Sequence, residues 1–425
     1  MALNFKELRK KNFIKFLWVA CGGFWAISIS PILRSSWAGD DWPNGQTPYW
    51  IEWRSGTLSF FGVMEDAIYW SRAWALGQGR FYPFSYIENR LQFSYLQELW
   101  QFKTFQFSLL LLCGFLFVFL IFRLSKSHSL SVITLLALSL TTQFRPGFDP
   151  HLGFSSLLSS MLIKVFIAAI IINYVGTNLN KITSLKFSYY SAFIYFAAMA
   201  TYEFAFLLFP LLVIAFKLGV EDTKSINDYS KNTYKKKSII NWLDQALILV
   251  FHKKFRPVLY SWVFYALLVF GFLRQIAKDI SGSYILGFSY KSIKVFFSQI
   301  LTGLPLLTFN TKDFNIFRSD YLKIYVITFI VLSTALFIFF RIRTDSNLGF
   351  IPSKINFAKP LYLISFILIS CPAVILSLQT TWWDRASISN TYLGVMVTEF
   401  GTALFLALVV NNVITKTVFH SKTKI

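Results

Sequence analysis

Ten apolar stretches recur along this chain, near residues 13–33, 107–124, 129–143, 154–174, 188–200, 203–219, 257–274, 324–341, 360–378 and 391–415, and they leave few folds open. A run of about 20 apolar residues forms a bilayer-spanning helix, because each backbone polar group must find its partner within the segment. The expected fold is therefore all-α: one integral membrane domain over 1–425 with about ten transmembrane helices. The third and fifth stretches are short for a full crossing. Composition agrees, since 55% of residues are hydrophobic, 19% aromatic and only 14% charged, outside the range of soluble domains.

The first run, after Met1-Ala2-Leu3-Asn4-Phe5-Lys6, is longer than a signal-peptide core and lacks a small-residue cleavage site, so it is expected to stay as a signal anchor. A formal charge of +21 would point to nucleic acid in a soluble protein. Here the cations sit in loops between apolar runs, as membrane orientation requires, and no nucleic-acid partner is implied. Cys21, Cys113 and Cys371 lie inside apolar runs without metal-ligand spacing, which argues against disulfides and thiolate metal sites.

Orientation follows from the basic loop 220–256, with Lys235, Lys236, Lys237, Lys253, Lys254 and Arg256. The positive-inside tendency makes it cytoplasmic and puts both termini inside. Two long loops, 34–106 and 275–323, then face outward as the first and fourth outer loops. The first holds seven of the 13 Trp (Trp37, Trp42, Trp50, Trp53, Trp70, Trp74 and Trp100), which suits a segment at headgroup depth. Within it Val63, Ala67, Trp70 and Trp74 share one helical face, Glu65 and Arg72 oppose them, and Gly77 and Gly79 end the run. In the second, Ile293, Phe296, Phe297, Ile300, Leu301 and Leu304 line one face and Lys291 and Lys294 the other, up to Gly303. Both patterns predict amphipathic surface helices on the outer face.

Chemistry-bearing residues gather at the outer ends of spans. Asp40 and Asp41 follow the first run; desolvation and mutual repulsion make such a pair costly unless a cation, a metal or a substrate compensates it. Solvated loop acids with a capping role are the simpler reading. Asp149 and His151 belong to the rigid turn Arg145-Pro146-Gly147-Phe148-Asp149-Pro150-His151 after the third span. Glu203 stands alone among apolar residues in Ala200-Thr201-Tyr202-Glu203-Phe204, and an isolated carboxylate at membrane depth is a functional candidate. Arg72, Arg80, Arg90 and Arg385 supply guanidinium forks suited to phosphate, with headgroup anchoring as the competing use and Asp384 as a simple partner for Arg385. Lys164 and Glu399 read as intramembrane charges, paired with each other or with carbonyls. No P-loop, Rossmann glycine pattern, G-x-S-x-G or H-E-x-x-H occurs.

Taken together, Asp40-Asp41 after the first span, the long first outer loop, Gly79-Arg80-Phe81-Tyr82-Pro83, Asp149 and Tyr202-Glu203 resemble the GT-C superfamily of membrane glycosyltransferases over about residues 1–220. Bacterial O-antigen glucosyltransferases are similar in size and hydropathy. The resemblance implies hexosyl transfer, with inversion, from a polyprenyl-phosphate-linked sugar to an envelope glycan, lipid or protein acceptor on the outer face of the plasma (inner) membrane. It makes Asp40 or Asp41 the general base, a role worth about 10²- to 10⁴-fold in rate. It makes Arg72, Arg80 and Arg385 the donor-phosphate contacts. Asp149, His151 and Glu203 then either orient those arginines or hold a divalent cation. Hard oxygen ligands such as Asp40, Asp149 and Glu203 suit Mg²⁺ or Mn²⁺. A lipid-linked saccharide flippase or other transporter is the alternative, although such proteins usually carry ionisable residues at the bilayer midplane on broken helices.

Overall fold

The computed structural model describes residues 5–37, 41–56, 58–142, 144, 156–227, 239–277, 285–303, 358–384 and 394–422. Among them the chain is helical, and its strand-like pairing is the isolated bridge between Leu286 and Gln379. Among the described residues seven helices are long and apolar enough to cross a membrane: Ile14–Arg34, Leu99–Ser125, Leu157–Thr177, Glu203–Thr223, Arg256–Ile276, Ala358–Leu378 and Val395–Val413. The protein is a multi-pass membrane protein. The third and fifth apolar stretches form the shorter helices His128–Thr141 and Thr183–Met199, and the run at 324–341 lies outside the described residues.

In chain order the helices are α1 (Phe5–Ile29), α2 (Asp41–Asn44), α3 (Thr47–Ser55), α4 (Phe60–Gln78), α5 (Pro83–Tyr95), α6 (Leu99–Ser125), α7 (His128–Thr141), α8 (Leu157–Thr177) and α9 (Thr183–Met199). They continue with α10 (Phe209–Asn227), α11 (Ile239–Val250), α12 (Arg256–Ala266), α13 (Tyr290–Thr302), α14 (Ala358–Leu378) and α15 (Val395–Lys422). A 3-10 turn, Glu203–Leu208, leads into α10, and a π-helical stretch, Leu267–Leu273, carries α12 on to Arg274–Ile276.

The bundle is assembled around α8, which packs against α6, α9 and α10. Small residues bring α8 and α10 together. A Cβ on Gly176 would stand 2.5 Å from the Phe216 carbonyl oxygen, and one on Gly219 would collide with the Asn173 carbonyl. Close backbone approach at small residues replaces the hydrophobic drive that helices lack among lipid tails. Phe117, Phe166 and Phe400 interlock nearby, with ring centroids 5.1–5.6 Å apart. Thr134 and Ser139 satisfy their buried hydroxyls one turn back in the helix, on the Leu130 carbonyl at 2.8 Å and the Leu135 carbonyl at 3.0 Å.

Residues 41–95 form a helical cap between the first two long helices. The Ser59 hydroxyl accepts the Gly62 amide and starts α4, and Gly79, at φ +67°, ends it in the left-handed region. Pro83 then opens α5. Val63 and Ala67 are buried while Glu65 and Arg72 are exposed, the face division that the spacing predicts for α4. In α13 the bundle takes Ser292, Val295, Gln299 and Thr302, whereas Ile293, Phe297 and Leu301 of the apolar stripe remain exposed. Leu304 lies outside the described residues.

Candidate functional site

Three connections draw the cap and the helix ends together at one end of the bundle. The Phe84 amide donates to the Ala200 carbonyl at 3.2 Å, fixing the start of α5 against the turn between α9 and α10. The Gly287 amide bonds the Leu378 carbonyl at 2.9 Å, and the Thr380 amide the Ile285 carbonyl at 3.1 Å, which tie the end of α14 to the segment before α13. Lys291 and Asp384 close this corner at 2.6 Å. Asp384 thus has Lys291 of α13 as a partner, and Arg385, the other partner expected for it, lies outside the described residues.

At the centre of this end, Arg80 Nη2 lies 2.9 Å from Glu203 Oε1. Arg80 Nε donates to the Tyr82 hydroxyl at 2.5 Å, and Gln379 Nε2 donates to the same Glu203 oxygen at 3.4 Å. Tyr82 stacks on Tyr202 with centroids 5.9 Å apart and planes 10° from parallel. Burial pushes the Tyr82 phenol well above its usual range, against the pull of the Arg80 cation, so the group stays protonated at neutral pH. Glu203 is thus compensated by a guanidinium and an amide, which explains how a carboxylate persists among apolar neighbours. The contact holds the Arg80 guanidinium against the turn before α10.

A second arginine packs against Gly79, the residue before Arg80. Gly79 packs so closely on the end of α12 that an added Cβ would stand 2.9 Å from Arg274 Cγ and 3.0 Å from Arg274 Cα. Arg274 lies over the Phe270 ring at 5.3 Å, and among the described residues no carboxylate forms an ion pair with it. Sequence reading missed this residue. The signal was its place at the end of the 257–274 run, on the same face as Arg80 and Glu203.

Arg72 stands exposed on α4 beside a cleft of about 250 Å³ between α4 and α5, walled by Ile68, Ala75, Phe81, Pro83 and Ile87. Phe81 continues the wall inward, packing on Phe196 and Tyr265 with centroids 6.3 and 6.5 Å away. The cleft is apolar with a cation at its side.

Asp41 opens the one-turn helix α2 and is fully buried. Gln106 Nε2 donates to Asp41 Oδ2 at 3.5 Å, and Lys103 Nζ donates to Gln106 Oε1 at 3.0 Å, so the first turns of α6 supply its surroundings. Lys103 is itself fully buried. Lys164 pairs with Glu88 of α5 at 2.5 Å and bonds the Ser160 hydroxyl at 2.6 Å. This corrects the pairing of Lys164 with Glu399: α5 packs against α8 and presents a carboxylate there.

Asp40, Asp149, His151 and Arg385 lie outside the described residues. Among the described residues no three His, Cys, Asp or Glu side chains come together as a metal-binding group. Glu203, bonded to Arg80 and Gln379, is a poor cation ligand as it stands. No family model, curated protein or solved structure matches this chain.

Proposed function

We propose that this chain is a membrane glycosyltransferase that moves a hexose from a polyprenyl-phosphate donor to an envelope glycan, lipid or protein acceptor at the outer face of the plasma membrane. The observation that carries this reading is the Arg80–Glu203 ion pair, which joins the Gly79-Arg80 stretch of the first long loop to the Tyr202-Glu203 turn. Two distant sequence features that the resemblance singled out thus meet in one place, near Arg274, for which no ion pair occurs among the described residues, and near an apolar cleft. An anionic lipid needs that combination: a fork for the phosphate and an apolar wall for the chain.

In the reaction the acceptor hydroxyl oxygen bonds to the anomeric carbon as the bond from that carbon to the phosphate oxygen breaks. The hydroxyl proton passes to the carboxylate of Asp40 or Asp41, and the leaving polyprenyl phosphate carries away the bonding electron pair. Arg274 and Arg72 are the cations available to the phosphate charge that develops. Arg80 is already neutralised by Glu203 and keeps the wall of the site in place. A divalent cation is not required by this scheme, and no step is routed through one.

The test is turnover of a radiolabelled polyprenyl-phosphate hexose by the full chain in nanodiscs. Arg274→Gln is expected to raise the donor KM about tenfold or more, the loss of one charge-assisted phosphate contact. Arg274→Gln with wild-type kinetics would remove Arg274 from the donor site, and absence of turnover in the wild type with acceptor glycan supplied would overturn the function.

A further inference from the structure

The helix that carries Asp41 has one turn, Asp41–Asn44, closed by the Gly45 amide on the Asp41 carbonyl at 2.9 Å. A helix so short cannot hold itself, since nucleation costs more than one turn returns. Its place must be imposed from outside, and one side chain reaches it from α5. Arg90 Nη1 donates to Asn44 Oδ1 at 3.3 Å, to Thr47 Oγ1 at 3.1 Å and to Asn89 Oδ1 at 3.0 Å. Its Nε lies 2.7 Å from Asp66 Oδ2 on α4, and Arg54 Nη1 of α3 lies 2.5 Å from Asp66 Oδ1. Arg90 and Asp66 are 8% and 6% exposed, so neither charge is left to water. A planar guanidinium can serve α2, α3 and α4 at once because its donors point in fixed, divergent directions.

We propose that Arg90 is the positioning residue that fixes Asp41, clamping α2 and the start of α3 to Asp66 so that the carboxylate stays against Gln106 near the start of α6. This rests on the reading of Asp41 as part of a transferase site, but the clamp has a signature of its own. Arg90 touches neither substrate nor the reacting atoms. Weakening its hold on Asn44 and Thr47 while a cation still pairs with Asp66 leaves the donor-binding side, Arg274 and the α4–α5 cleft, in place and loosens the carboxylate.

The experiment compares Arg90→Lys and Asn44→Ala with the wild type, each as the full chain in nanodiscs. Lysine keeps a cation for Asp66 but cannot span Asn44 and Thr47 together, and Asn44→Ala removes one end of the clamp while both buried charges, Arg90 and Asp66, stay paired. Hydrogen exchange over residues 41–47 is expected to quicken about tenfold while exchange over 60–78 is unchanged. In the same samples kcat for sugar transfer falls about 10- to 100-fold, the cost of a misplaced group, with the donor KM within about twofold. Unchanged exchange over 41–47 in both variants overturns the clamp, as does equal quickening over 60–78 or a loss confined to KM. If Arg90→Lys does not fold, Asn44→Ala carries the comparison. If the wild type transfers no sugar, the functional reading fails while the exchange result still decides the clamp.

Discussion

Arg80 and Glu203, 123 positions apart in the chain, form an ion pair of 2.9 Å between the loop after α4 and the turn before α10. Their side chains are 10% and 21% exposed, so the pair is shielded from solvent without being fully enclosed. It fastens the helical cap to the bundle and gives an isolated carboxylate its partner.

Breaking it from either side should therefore hurt, and breaking both should hurt less than the sum. Arg80→Ala and Glu203→Ala are each expected to lower stability by about 1–3 kcal/mol, less than the cost of opening a fully buried pair. The coupling from the double-mutant cycle is expected to be about 1–2 kcal/mol. Unfolding in bicelles gives these values. Additive effects would mean that the two residues act separately.

Gly79 is held by two independent constraints, a left-handed φ of +67° and contact with Arg274. Gly79→Ala should cost about 1–3 kcal/mol, and it should also push Arg274 out of place and lower turnover. Gly56 provides the comparison, because its φ is +75° but no atom lies within 4 Å of an added Cβ. Gly56→Ala should cost about 1 kcal/mol and leave turnover near the wild-type level. Equal turnover in the two variants would contradict the contact with Arg274.

The Lys164–Glu88 pair ties α5 to α8, with side chains 18% and 23% exposed. Glu88→Ala strands a cation on a membrane helix and is expected to destabilise by about 1–3 kcal/mol. Replacing both partners, Lys164→Met with Glu88→Gln, removes the charges together and should fall within about 1 kcal/mol of the wild type. Thermal unfolding that ranks the double variant below Glu88→Ala would refute this account of the pair.

Much of the fold was legible in the sequence because hydropathy is nearly its only requirement in lipid. The long runs within the described residues are helices, α4 divides its faces at Val63, Ala67, Glu65 and Arg72, and Gly79 ends it. The face that α13 presents was not legible. Its apolar stripe, Ile293, Phe297 and Leu301, is turned away from the bundle, which takes Ser292 and Gln299 instead. In a membrane protein an apolar face has two places to go, lipid or core, and periodicity does not distinguish them. The same limit applied to the site. Arg80 and Glu203 stood out singly, but their contact depends on how α5 docks on the turn at Ala200. Lys164 read as paired with Glu399 or with carbonyls because it lies within an apolar run, while its actual partner, Glu88, sat in a loop segment. Arg274 was hidden as the last cation of a span.

The most direct test of sugar transfer uses proteoliposomes that hold the purified chain, a polyprenyl-phosphate [14C]hexose and envelope glycan as acceptor. The account predicts that label leaves the lipid and appears on the glycan, that Asp40→Asn combined with Asp41→Asn abolishes this, and that Arg274→Gln slows it at limiting donor. Label that stays on the lipid, whether or not it crosses the bilayer, would contradict the account.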